Sequence, residues 1–381
     1  MIYRTLGRMG YRVSKLGFGA MRLPMVGSGP DAHVNRELAI PMIHQAFEAG
    51  VNYIDTAVGY GNQDSQRAVG EALKGWRDRV VVSTKNGYYG PDRKEWWTNL
   101  ENSLERLGVQ CIDLYNHHGL RWKTYTEDVE PRVAHWMRQA KDQGLIKHIC
   151  CSFHDSNQAL RNLVDTGYVE SITLQYNLLD RQLEDGIAYA HQKGLGVVVM
   201  GPVGGGRLGA DSSVISSLVP GLSRLPELAL RFVLANPNVN IALSGMSTMQ
   251  QVQENLKVAA DEASLSQADL AAIDEHLSKL GELAKLYCTG CGYCVPCPQG
   301  VAIPQIFQTF NHARVYGLWT HARRAYANLI KNQDRPKRGK PADKCVDCGA
   351  CEAKCPQNLP IRKQLKEAHE ALTAAEPVTT K

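Results

Sequence analysis

Asn52-Tyr53-Ile54-Asp55-Thr56-Ala57-Val58-Gly59-Tyr60 decides how the first 280 residues are read. A short apolar strand ends on a carboxylate at Asp55, the backbone turns, and Tyr60 follows five residues later. The same arrangement recurs downstream. Lys85 follows the apolar run Val80–Thr84, and His118 follows Ile112–Tyr115. Three consecutive strand–helix units thus deliver four groups able to hold or move a proton. Such groups at the ends of parallel strands mark an active site rather than a core.

Outward from that stretch the pattern is regular. Apolar runs are expected as strands at Ser14–Ala20, Asn52–Asp55, Val80–Thr84, Ile112–Tyr115, Lys147–Cys151, Ser171–Gln175, Gly196–Met200 and Asn240–Leu243. Helical spacing falls between them at Arg36–Ala49, Ser65–Lys74, Glu95–Leu107, Glu130–Asp142, Asn157–Thr166, Arg181–Gln192 and Arg224–Ala235, with Met249–Ala260 and Ser266–Lys279 closing the series. Residues 3–13 are polar and glycine-punctuated, as a leading hairpin would be. Alternation with a period of about 30 residues calls for a parallel sheet covered on both faces, and eight units close a (β/α)8 TIM barrel. An open doubly wound sheet is the competing fold. It fits less well because no G-x-G-x-x-G turn follows the first strand.

Composition is that of a globular protein. Of 381 residues 44% are apolar and 21% charged, and the net charge of +5 is too small to suggest nucleic-acid binding. No apolar run has the length of a membrane span, and the first residues lack the charged-then-apolar order of a secretory signal. Eight of eleven cysteines fall in two short arrays, the usage of a metal-binding protein in a reducing compartment, the cytoplasm.

The motifs Asp55-Thr56-Ala57…Tyr60-Gly61, Val69-Gly70-Glu71-Ala72-Leu73, Ser83-Thr84-Lys85 and Ile112-Asp113-Leu114-Tyr115…His118 together resemble the aldo/keto reductase family over about residues 1–280. The resemblance implies that Tyr60 gives or takes the proton at the substrate oxygen. Lys85 lowers the Tyr60 pKa, Asp55 holds Lys85, and His118 orients the carbonyl. The chemistry supports these roles: a free phenol near pKa 10 is a slow acid at neutral pH, and a nearby ammonium favours its phenolate. His118 is chosen over His117 because His118-Gly119-Leu120 aligns best after Asp113-Leu114-Tyr115. His117 is expected packed or exposed.

The family implies NADP or NAD extended across the barrel mouth. By resemblance its contacts are Gly19, Met21 and Arg22 after the first strand, Asp55 under the nicotinamide ribose, Ser152, and Gln175 at the carboxamide. Met200, Pro202, Gly204 and Gly205 follow the seventh strand, and Ser244, Gly245 and Met246 the eighth. Gln251, Glu254 and Asn255 face the adenosine. Three departures matter. Ser152-Phe153-His154 stands where many relatives have Ser-Asn. Gly245 and Gln251 stand where some NADPH-preferring relatives have Lys and Arg, which leaves NADH open. Met200 replaces the aromatic that stacks on nicotinamide in many relatives, so Tyr176 or Met200 is expected to cover that face. Tyr88, Tyr89, Trp96 and Trp122 are expected to shape the pocket for a small carbonyl or alcohol, sugar-like in character.

From Leu280 the composition changes. Cys345-x2-Cys348-x2-Cys351-x3-Cys355-Pro356 is the bacterial ferredoxin run, and Cys288-x2-Cys291-x2-Cys294-x2-Cys297-Pro298 is the same run one residue shorter. In two-cluster ferredoxins the fourth cysteine of each run serves the other cluster. The expectation is crossed: Cys288, Cys291, Cys294 and Cys355 on one [4Fe–4S], and Cys345, Cys348, Cys351 and Cys297 on the other. Two zinc sites, each held by four thiolates, are the main competing reading. The 47 residues between the arrays are read as two helices, Pro304–Arg314 and Thr320–Lys331, then a loop to Lys344. With six basic and two acidic residues, Lys331–Lys344 is read as a solvated connector, or as a dock for an acidic electron carrier. This region resembles α-helical ferredoxin domains. The expected domains are 1–280, a smaller ferredoxin-like domain at 281–370 and a flexible tail at 371–381. Cys111, Cys150 and Cys151 are expected as buried small hydrophobes.

Overall fold

A computed structural model describes residues 1–216, 218–262, 265–285, 288, 290–335 and 339–374. The chain divides into two compact units, residues 1–205 with 229–265, and residues 206–228 with 266–381.

In the first unit eight parallel strands close a barrel: β1 (Leu16–Gly19), β2 (Tyr53–Asp55), β3 (Val81–Asn86), β4 (Ile112–Leu120), β5 (Ile146–Phe153), β6 (Ser171–Gln175), β7 (Gly196–Met200) and β8 (Ile241–Gly245). They pair in sequence order, and β8 returns to β1 through Gly245 opposite Gly19. Every residue of β1, β2 and β3 is buried, as expected of strands covered on both faces. The intervening helices are capped by local chemistry. The side chains of Asn35, Asp92, Ser156 and Thr248 accept the first free N–H groups, and Gly108 ends its helix at φ 64°.

Because all strands run one way, their C-terminal ends share one mouth. The opposite end is stopped by the hairpin Tyr3–Thr5/Arg12–Ser14. Leu6 and Val13 of this hairpin pack with Tyr53, Leu114, Cys150, Val198 and Ile241. Gly196 permits that approach, since a Cβ there would lie 2.8 Å from Leu6 and Met9.

Three elements differ from the sequence reading. β3 runs to Asn86 and β4 to Leu120, so Lys85 and His118 lie inside strands rather than after them. Polar residues at a barrel mouth break the apolar pattern without ending the strand. The helix expected from Glu130 begins at Trp122 and passes through π-helical turns over Tyr125–Val133 before Ala134–Asp142. Pro131 lies in those turns; it has no N–H to give an α-helical ladder, and a wider turn accommodates it.

The second unit contains helices Gln267–Lys285, Ile303–Arg314, Trp319–Lys331 and Ile361–Thr373. The first crosses residue 280, so the expected boundary falls inside one continuous helix. Gly281 alone does not stop it, because a single glycine costs a helix only about 1 kcal/mol. The last helix was not expected, and it takes residues 371–373 out of the expected tail; residues 375–381 lie outside the described residues. Its stripe Ile361, Leu365, Ala368 and Leu372 packs with Ile306, Phe307, Phe310 and Tyr326 in one core. The basic connector Lys331–Lys344, of which 336–338 lie outside the described residues, is partly tied down. Lys340 bridges to Val301, and the Ala342 N–H donates to Tyr326 Oη at 3.0 Å. Residues 206–228 belong here too, where Ser212 Oγ donates to the Tyr316 carbonyl at 2.7 Å. No helix among the described residues is long and apolar enough to cross a membrane.

Candidate active site

Asp55 ends β2, and Lys85 lies near the end of β3. The Lys85 ammonium contacts Asp55 Oδ1 and donates to the Thr56 carbonyl at 2.8 Å. Both side chains are 2% exposed. The second Asp55 oxygen accepts from Ser83 Oγ at 2.8 Å, and Asn116 Nδ2 on β4 donates to the same hydroxyl at 3.0 Å. The ion pair is therefore fixed by hydrogen bonds from three adjacent strands, as a buried pair requires.

Tyr60 hangs over this pair from the turn after β2. Gly61, Asn62 and Gln63 all have positive φ, and two of them are not glycine. Such backbone persists only where its surroundings hold it. Asn62 Nδ2 donates to the carbonyls of Pro30 and Ala32, and Asp64 accepts from the Val34 N–H and from Arg36. Lys85 Nζ lies 5.0 Å from the centre of the Tyr60 ring. The Tyr60 and His118 rings meet edge to face, 5.7 Å apart at 83°.

Electrostatics set the protonation states. Burial raises the Tyr60 pKa, and Asp55 adds to the rise while Lys85 opposes it; the balance lies above the ordinary value, so the phenol is protonated. Burial, helped by Lys85 and His154, lowers His118 to about 4. His118 is thus a neutral imidazole at neutral pH. His117 is buried, its Nε2 2.9 Å from Tyr168 Oη, and burial lowers it to about 3.

The residues expected at the cofactor gather around the same mouth. Gly19 pairs with both Asp55 and Gly245. Met21 and Arg22 stand exposed on the turn after β1. Ser152 is buried, its hydroxyl accepting from the Gly119 N–H at 2.8 Å. The Gln175 carboxamide lies against Gly201, where a Cβ would come within 2.6 Å of it. Met200 ends β7 beside Gln175 and is partly exposed; Pro202 and Gly204 are buried and Gly205 is exposed. Asn255 Nδ2 donates to Ser244 Oγ at 2.9 Å, and Gln251 Oε1 accepts from the Ser247 N–H at 2.8 Å. Glu254 accepts from Gln250. Met246 is buried, at 1% exposure.

In the second unit the two cysteine arrays interleave. Cys288, Cys291, Cys294 and Cys355 line one depression, open in part to solvent. Cys345, Cys348, Cys351 and Cys297 line another. Phe307, Leu359 and Ile361 wall the first; Val301, Ile303 and Leu365 wall the second.

The aldo/keto reductase family model matches residues 15–213 and 221–278. The chain belongs to the aldo/keto reductase family. A 4Fe-4S dicluster domain matches residues 287–359. An uncharacterised oxidoreductase of Bacillus subtilis is 26% identical over 308 residues, covering 72% of this chain and 95% of its own. The NADH-specific methylglyoxal reductase of Escherichia coli is 28% identical over 323 residues, covering 71% and 96%. An aldo-keto reductase from Bacillus halodurans, in its holo form, superposes with a TM-score of 0.62 at 27% identity, covering 72% of this chain and 96% of its own. The chain is thus an oxidoreductase of this family with an iron–sulfur domain appended.

Within this aldo/keto reductase the expected roles of Trp96 and Tyr176 change. Trp96 is not in the pocket: it is 1% exposed on the helix after β3 and packs against Trp97, Tyr115 and Trp136. Tyr176 does not cover a nicotinamide; it is buried against Phe232, with its hydroxyl donating to Glu184 at 2.6 Å. Residue 176 directly follows β6, and strand alternation sends it opposite Gln175. Trp122 stacks on Tyr125, and Tyr88 Oη accepts the Asp92 N–H. Cys150 and Cys151 are buried, whereas Cys111 is partly exposed. Asn116 was not singled out, and Ser83 was read only as part of the motif Ser83-Thr84-Lys85, with no role of its own. A buried asparagine inside an apolar strand was the available signal, since such a side chain must find partners.

Proposed function

We propose that this reductase interconverts a small carbonyl compound and its alcohol, with Tyr60 as proton donor in reduction and acceptor in oxidation. The observation that carries this reading is the buried Asp55–Lys85 pair beside Tyr60 and a neutral His118. In reduction the carbonyl carbon gains a hydride and the oxygen gains the Tyr60 proton, which balances to the alcohol. Lys85 stabilises the phenolate left behind, and Asp55 holds Lys85 in place. The imidazole N–H of His118 donates to the oxygen as charge develops, an aid worth on the order of 10²-fold.

The strand ends fit a nicotinamide dinucleotide, NAD(H) or NADP(H), whose reduced form would supply the hydride and whose oxidised form would accept it when bound. Gly19, Gly201 and Gly245 present backbone without side chains. Gln175 offers a carboxamide, and the helix Met249–Ala260, capped by Thr248, offers free N–H groups to a phosphate. The four-thiol depressions fit two [4Fe–4S] clusters with crossed ligands, Cys355 joining the first run and Cys297 the second. Their apolar walls would limit the solvent exposure that helps set a cluster's potential.

Turnover of small aldehydes, methylglyoxal among them, tests the reading with NADH and with NADPH. Hydride consumption matched one to one by alcohol formation supports it; no turnover on the whole panel contradicts it. The pair of thiol depressions favours a second reading, in which the clusters pass single electrons to an external carrier. Anaerobic stopped-flow separates the two: cluster bleaching by substrate or NAD(P)H at the turnover rate supports electron transfer, and its absence makes the clusters structural.

A further inference from the structure

The pairing of β4 with β5 is irregular between His117 and Leu120. A backbone released from its ladder must find other hydrogen-bond partners. At His118 those partners are side chains. Tyr89 Oη donates to the His118 carbonyl at 3.0 Å, and the next N–H, that of Gly119, donates to Ser152 Oγ.

Tyr89 comes from the loop after β3 and is held at three points. Its hydroxyl meets the His118 peptide. Its ring stacks on His117, 6.0 Å away at 22°, and His117 Nε2 is itself hydrogen-bonded to Tyr168 Oη. Its own carbonyl accepts from Arg132 at 2.8 Å. Arg132 lies in the π-helical turns and is steadied by Asp128 at 2.9 Å. Burial raises the Tyr89 phenol far above its ordinary pKa, so the hydroxyl remains a donor.

We infer that Tyr89 is a positioning residue for His118, locked by Arg132, and this rests on the role proposed above for His118. Tyr89 touches the peptide of His118, so it acts by fixing the plane from which the imidazole projects. Without that donor the carbonyl turns toward water and the ring leaves its edge-to-face place against Tyr60. Small displacements of an aligned donor are costly to catalysis.

Tyr89→Phe removes the hydroxyl and keeps the stacked ring. Two readouts are needed: steady-state kinetics on the aldehyde panel, and titration of the His118 imidazole by selective 15N-histidine NMR, assigned with His118→Gln. The expected result is a fall in kcat on the order of 10-fold at unchanged nicotinamide Kd. The His118 titration should move up from about 4 toward the ordinary histidine value as water enters. Unchanged kcat together with an unchanged imidazole titration overturns the inference. Should the wild-type protein reduce no aldehyde, the proposed function fails while the imidazole titration still decides the positioning. Should Tyr89→Phe fail to fold, Arg132→Gln, which releases Tyr89 from behind, must give the same upward movement of His118; no movement overturns the inference.

Discussion

Lys85 and Asp55 face one another from adjacent strands with both side chains sealed from solvent, and one carboxylate oxygen is reserved for the ammonium while the other accepts Ser83. A buried charge with its partner removed is destabilising by about 3–5 kcal/mol. Asp55→Asn and Lys85→Met should each lower the unfolding free energy read from urea titration by an amount of that order, and with it the urea midpoint; the double variant should recover part of the loss. Equal midpoints for wild type and Asp55→Asn would show that the pair contributes nothing to the fold. Lys85→Met should also move the alkaline limb of alcohol oxidation upward, because Lys85 opposes the burial that raises Tyr60.

Acidification should unfold the barrel through its buried histidines. His118 and His117 are lowered to about 4 and about 3 from the 6.5 expected of a free imidazole. As pH falls below 6.5 the unfolded chain takes up protons that the folded chain refuses. Stability is therefore full above about pH 6.5 and is lost progressively as pH falls through 4 and then 3. The urea midpoint should be lower at pH 5 than at pH 7, and His117→Gln should shrink the difference. Identical midpoints at the two pH values would refute the buried-neutral assignment.

The crossed cysteine sets make a prediction that uncrossed sets do not. Cys355→Ser should cut bound iron from about eight atoms per chain to about four and spare the cluster of Cys345, Cys348 and Cys351. Cys297→Ser should do the reverse. Iron content with EPR of each dithionite-reduced variant distinguishes them. Loss of the same cluster in Cys355→Ser and Cys348→Ser would contradict the crossing.

Cofactor choice is testable at Gln251, which offers no charge to a 2′-phosphate and whose carboxamide is engaged by the Ser247 N–H. Gln251→Arg should tighten NADPH about 10-fold relative to NADH, the effect of one charge-assisted contact. Dissociation constants from nicotinamide fluorescence measure it, and an unchanged ratio would place the adenosine elsewhere.

Much of the barrel was legible because its strands are short apolar runs with clear ends. β6, β7 and the helix Met249–Ala260 have the bounds that their residue pattern indicates. Legibility failed where function intrudes on pattern. Asn116 to Leu120 read as a loop because a strand at the mouth carries polar side chains for the site. Trp96 and Tyr176 read as pocket aromatics because sequence position shows which strand precedes a residue and not which way its side chain turns. The helix Ile361–Thr373 was hidden behind the cysteine array and Pro360, although its apolar stripe has helical spacing. The hydroxyl of Tyr89 on the His118 peptide has no local signature, since it depends on an irregular pairing between β4 and β5.

The most direct test of the account is Tyr60→Phe, which removes one oxygen beside Lys85 and His118. Carbonyl reduction should be measured with NADH and NADPH deuterated at the transferred position, alongside nicotinamide affinity. The account predicts a loss in kcat of about 10²–10⁴-fold with cofactor Kd unchanged. Turnover in Tyr60→Phe equal to wild type, with the same isotope effect, would contradict it.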